Sequence, residues 1–189
     1  MLTATYSLLA IRSEQKNVCS LLSRLRDYVQ SSRRHEACID ARAMASLLSQ
    51  LQQFDRYFHA RKIERHVIPA VCCATTGADL LVDKLEMLSL SARRSLASLQ
   101  QYVQAGDADN GHPTFCAVAE QYCDTMLDRL LNEDESLMSL IGEVLTREDW
   151  FDLGARFLAE DGDKYLSRRV VPPLVPLASA ISGESTATY

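Results

Sequence analysis

Apolar residues recur in this chain at spacings of three and four almost from end to end, and its glycines and prolines fall between or beyond the periodic segments. That spacing draws one apolar stripe along an α-helix and leaves strands, which need a period of two, without a home. Five helices are predicted. The first runs from about Ala4 to Ser31, with Leu8, Ile11, Val18, Leu22, Leu25 and Val29 on one face. The second begins near Asp40, an N-cap candidate, carries Met44, Leu47, Leu51, Phe54 and Phe58, and is stopped by Pro69. The third opens after the Thr75-Thr76-Gly77 turn and carries Leu81, Leu85, Leu88, Ala92, Leu96 and Leu99. The polar stretch from Ala105 to His112 is a loop, and a fourth helix continues from Pro113-Thr114 to about Val144.

A short fifth helix is announced by Thr146-Arg147-Glu148-Asp149, where threonine can cap the backbone and the acidic residues favour the positive end of the helix dipole. Trp150, Leu153, Phe157 and Leu158 would dock it. Short connections reach only a neighbouring helix end, so the expected fold is all-α, an up-down-up-down antiparallel four-helix bundle over residues 1–160. Residues 161–189 form a Pro-containing tail, extended or disordered, because Val-Val-Pro-Pro-Leu-Val-Pro-Leu cannot be regular helix.

With 189 residues and 47% hydrophobic content the chain can bury one sizeable core. A net charge of -5 and scattered basic pairs exclude phosphate neutralisation as a driving force, so no nucleic acid is expected as a partner. No apolar run spans a bilayer and the N-terminus lacks signal-peptide features, so a cytoplasmic protein without membrane contact is expected. None of the six cysteines has Cys-x-x-Cys spacing. Cys19, Cys116 and Cys123 lie on or near apolar stripes, whereas vicinal Cys72 and Cys73 fall in a connection after Pro69. No nucleophile elbow, P-loop or dinucleotide fingerprint points to an enzyme.

Each stripe is interrupted. Gln15 stands between Ile11 and Val18, His59 and Ile63 follow Phe58, Lys84 stands between Leu81 and Leu88, and Arg129 with Glu133 flanks Leu130. In an antiparallel bundle all of these fall toward one end, which implies a shared interior pocket. A local metal site of His59, Glu64 and His66 fits less well: on a straight helix Glu64 points away from His59 by roughly 140°.

The arrangement resembles the hemerythrin-like (HHE cation-binding) domains. Glu14-Gln15 stands at the first motif, with glutamine at the histidine position. His59-Ala60-Arg61-Lys62-Ile63, six residues before Pro69, resembles the second, with isoleucine for glutamate. Asp83-Lys84 stands at the third, Arg129-x-x-x-Glu133 at the fourth, and Leu145-Thr146-Arg147-Glu148-Asp149-Trp150 matches the family's turn after the fourth helix. The resemblance implies the bundle fold and a paired-iron pocket, yet only His59 and Glu133 keep a ligand type. The expectation is therefore a vestigial metal site holding a charge cluster of Lys84, Arg129 and Glu133, its hydrogen bonds completed by Gln15 and His59 and its space filled by Ile63. Such a protein would be a regulatory or binding protein without a cofactor, able to take a protein partner. The alternatives are an iron-containing sensor of oxygen, nitric oxide or redox state, and a redox responder acting through Cys72 and Cys73.

Overall fold

The computed structural model describes residues 2–34, 41–105 and 112–167, and all of its regular elements are helical. They are α1 (Leu2–Arg34), α2 (Ala41–His59), α3 (Ile68–Ala74), α4 (Asp79–Ala105), α5 (His112–Asn132), α6 (Met138–Val144) and α7 (Arg147–Ser167), with a 3-10 turn, Thr76–Ala78, leading into α4. A π-helical turn, Ile63–Val67, joins α2 to α3, and a second, Glu133–Leu137, joins α5 to α6. Among the described residues no helix is long and apolar enough to cross a membrane. The loop expected between Ala105 and His112, the Asp40 cap, Cys38 and the tail from 168 onward lie outside the described residues.

Pro69 does not stop the second helical run, which continues to Ala74. Proline lacks an N–H, and at the start of α3 that donor is not needed. The chain instead breaks earlier, at Ala60 and Arg61, where Glu14 of α1 accepts the Lys62 backbone N–H at 3.0 Å. Both π turns are defined by the longer i→i+5 bond: Ile68 N–H donates to Ile63, and Met138 N–H to Glu133. Their sequence origin is visible in the spacing. Ile63, Val67 and Val71, like Glu133, Leu137, Ile141 and Leu145, are buried at strict steps of four. On a plain α-helix such a row drifts by about 40° per step. One widened turn in each run returns the row to the core.

The core has two parts. Val18, Leu22, Leu25 and Val29 of α1 pack with α2 from Met44 to Phe58, with Ala92, Leu96 and Leu99 of α4, and with α5 from Phe115 to Leu130. Ile11, Ile63, Val67, Val71, Leu85, Leu137, Ile141, Leu153 and Phe157 form the second cluster. Along each run the change from one cluster to the other is marked by buried polar residues: Gln15 in α1, Arg61 after α2, Ser89 in α4, and Arg129 with Glu133 in the α5 run.

α7 reaches Ser167, so the expected boundary at residue 160 falls inside it. Its start is set by a reciprocal cap: the Asp149 backbone N–H donates to Thr146 Oγ1 at 3.2 Å, while Asp149 Oδ2 accepts the Thr146 N–H at 2.8 Å and its hydroxyl at 2.6 Å. These bonds hold the exposed Asp149 carboxyl below the usual carboxylate range. A lowered folded pKa contributes stability above the ordinary carboxyl range and loses it as pH falls through the lowered value. Thr146→Ala is expected to reduce unfolding free energy by about 1 kcal/mol in urea titrations at pH 7. The deficit against wild type should shrink as the pH is lowered through that range.

Candidate functional site

Arg61, Glu64, Arg129 and Glu133 form a closed ring of alternating charge. Arg61 Nη2 lies 2.8 Å from Glu133 Oε1 and 3.3 Å from Glu64 Oε1. Arg129 Nη1 lies 2.7 Å from Glu64 Oε1 and 3.2 Å from Glu133 Oε1. The Oε1 atom of each carboxylate therefore meets both guanidinium groups, and two positive charges balance two negative ones. The remaining faces are anchored: Arg61 Nε donates to the Phe58 carbonyl at 3.0 Å and Arg129 Nε to the Leu85 carbonyl at 3.0 Å. Both guanidinium carbons sit over the Phe58 ring, 3.7 Å from its centroid for Arg61 and 4.7 Å for Arg129. A planar cation on an aromatic face is a favourable contact once both are desolvated.

The ring is interior. The Arg61 and Glu133 side chains are fully buried, with Arg129 nearly so. Charges taken out of water need each other to be tolerated, and here every member has two opposite charges in reach. Burial pushes the Glu133 carboxyl upward, against the pull of Arg61 and Arg129, and Glu64 adds to the rise. Arg61 Nη1 and Glu133 Oε2 have no protein hydrogen-bond partner among the described residues.

A second group of ion pairs straps α7 onto the same region. Lys62 Nζ meets Asp161 Oδ1 at 2.7 Å and Glu14 at 3.7 Å, Tyr6 donates to Asp161 Oδ2 at 2.7 Å, and His66 contacts Glu160 at 3.0 Å. Burial alone would lower the Lys62 ammonium, but Asp161 and Glu14 outweigh it and the pKa is raised.

Of the residues singled out in the sequence, the structure brings Arg129, Glu133, Gln15 and Ile63 into the interior. Ile63 packs in the second apolar cluster. Gln15 is buried at the change between clusters, and its Nε2 has no hydrogen-bond partner among the described residues. Lys84 does not take part: it is exposed, and Ser89 is the buried polar residue of α4. His59 is half-buried and turned to Asp55, 3.6 Å away. Arg61 was missed, although its place three residues after Phe58 continues the stripe. Glu64, weighed in the sequence only as a metal ligand beside His59 and His66, meets Arg61 and Arg129 instead.

The cysteines divide by burial. Cys116 and Cys123 are buried, the Cys123 thiol being pushed up to about 12 by desolvation. Cys72 and Cys73 are exposed, in α3 rather than in a connection.

Paired iron needs neutral imidazoles and carboxylates around open coordination positions. Here the Oε1 atoms of Glu64 and Glu133 face guanidinium N–H groups, two fixed cations stand among them, and Ile63 offers no donor. These residues do not fit such a centre. Among the described residues no group of three or more His, Cys, Asp or Glu side chains is placed to hold a metal ion. Compared with family models, curated proteins and solved structures, the chain gives no significant match.

The raised pKa of Glu133 has a definite consequence for stability. Between the unfolded and folded values the folded chain holds the proton more tightly, so stability declines as pH rises through that window. Glu133→Gln removes this titration. In urea unfolding at stepped pH, the wild-type stability minus that of Glu133→Gln should fall with rising pH above the ordinary carboxyl range. A difference that rises with pH would mean that the arginines, not burial, govern the group.

Proposed function

We propose that this chain is a hemerythrin-like antiparallel bundle whose metal position is filled by its own side chains, and that it works as a cytoplasmic binding or regulatory protein rather than an enzyme. The observation that carries the reading is the ring itself. Arg129 and Glu133 stand at the fourth-helix ligand motif, Arg61 lies within the second and Glu64 directly follows it, and together they supply internally the charge balance that a bound cation would give.

A place for a ligand supports the binding half of the proposal. An open groove of about 690 Å³ is lined by Gln15 and Cys19 of α1 and by Leu127, Leu130 and Leu131 of α5, with the charged Arg12, Lys16, Asp128 and Asp134 beside them. Its mixed lining suits an amphipathic small ligand, and the buried Gln15 amide offers a donor to a carbonyl or carboxylate. The second reading, a thiol redox responder, is favoured by the exposure of Cys72 and Cys73. Against it, burial and the neighbouring Asp79 raise the Cys72 pKa and reduce its thiolate.

Elemental analysis and a visible spectrum of protein incubated anaerobically with excess ferrous iron, desalted and exposed to air test the metal-free reading. The expected result is well below one iron per chain and no charge-transfer band. One or two irons per chain, lost in His59→Ala and Glu133→Ala, would overturn it.

A further inference from the structure

The outer face of α4 carries Leu80, Asp83, Met87, Leu90, Arg94 and Ala97, all exposed, while Leu85, Ala92 and Leu99 on its opposite side are buried. The exposed residues alternate in steps of three and four, which is the seam of a two-helix coiled coil rather than a scattered surface. Leu80 is 85% exposed and Met87 60%, unusually high for large apolar side chains aligned on one seam.

The order of residues along the seam says which partner fits. Laid antiparallel on a second copy of itself, with Met87 facing Leu90 of the second copy, the seam sets Leu80 against Ala97 and Asp83 against Arg94. Two-fold symmetry then repeats every contact, as an isologous interface requires. The same register brings Glu86 beside Arg93 of the second copy at the flank. A shift of one heptad sets Asp83 against Met87, or Leu90 against Arg94, and loses the charge match. A parallel pairing in register sets Asp83 against Asp83 and Arg94 against Arg94, like charge on like. The charges therefore select one direction and one register.

We propose that the protein forms a two-fold symmetric dimer through α4, with Met87 and Leu90 at its centre and two Asp83–Arg94 pairs closing it. The seam is about 25 Å long and one helix wide, so the association is weak, with a Kd on the order of micromolar. The dimer uses a face of α4 opposite its buried side and does not depend on whether a metal is bound.

Sedimentation velocity of the full chain from about 1 to 500 µM tests it. Wild type is expected to pass from monomer to dimer across that range. Asp83→Arg sets arginine against Arg94 and should weaken the dimer at least about tenfold. The charge swap Asp83→Arg with Arg94→Asp should restore it to within about threefold. Both positions are exposed, so helicity by circular dichroism should be unchanged. The proposal is overturned if wild type stays monomeric throughout, if Asp83→Arg leaves dimerisation unaltered, or if the swap fails to restore it.

Discussion

Two guanidinium groups stacked on Phe58, with the buried Glu133 and the partly buried Glu64 carboxylates bridging them, are the constraint around which this protein is built. Any one of these charges alone in such a place would be costly, because a low-dielectric interior gives it nothing in exchange for lost hydration. Closing them into a ring makes the charges cancel locally, and the two Nε–carbonyl bonds fix each guanidinium to a backbone. The ring thereby links the α2 run to α4 and α5, and it sits where the apolar core changes from one cluster to the other. A purely apolar layer could slide or repack at modest cost. A ring whose members each need two partners has few alternative arrangements, which points to specificity of packing rather than strength as its contribution.

The two π turns belong to the same device. Glu64 lies in the first and Glu133 opens the second. Each turn absorbs the drift of a stripe that steps by four, so that side chains on either side of the ring can both face inward. The first also follows a chain break that buries Arg61, Lys62 and Ile63 in succession. Of these, Arg61 enters the ring, Lys62 turns to α7 through Asp161, and Ile63 fills the apolar cluster. Departures from α-geometry of this kind commonly occur where a helix run must present a functional group.

The helical class, the start of α4 after the Thr75-Thr76-Gly77 turn and the Thr146 cap were all legible, because periodicity and capping are local signals. Arg129, Glu133 and Gln15 were legible for a different reason: a polar residue inside an apolar stripe has nowhere to go but inward. Lys84 misled because it stands beside the stripe, one residue before Leu85, and its long stem lets it reach solvent. Ser89, which is buried in its place, gave no signal, since a small hydroxyl is common on either face of a helix. Glu64 was hidden by geometry. Its direction depends on a break and a widened turn, and the break is met by a tertiary partner, Glu14, 48 residues distant in sequence.

The central claim is that the four charges act as one balanced unit and not as separate stabilising pairs. A double-mutant cycle on Arg61 and Glu133, read by urea unfolding at neutral pH, tests it most directly. Arg61→Met alone leaves the buried Glu133 and the partly buried Glu64 with one guanidinium between them and should cost about 3–5 kcal/mol. Adding Glu133→Met removes the surplus charge, keeps Arg129 paired with Glu64, and should bring stability back to within about 1 kcal/mol of wild type, or above it. If the double variant instead loses the sum of the two single losses, the ring is not a unit and the account is wrong.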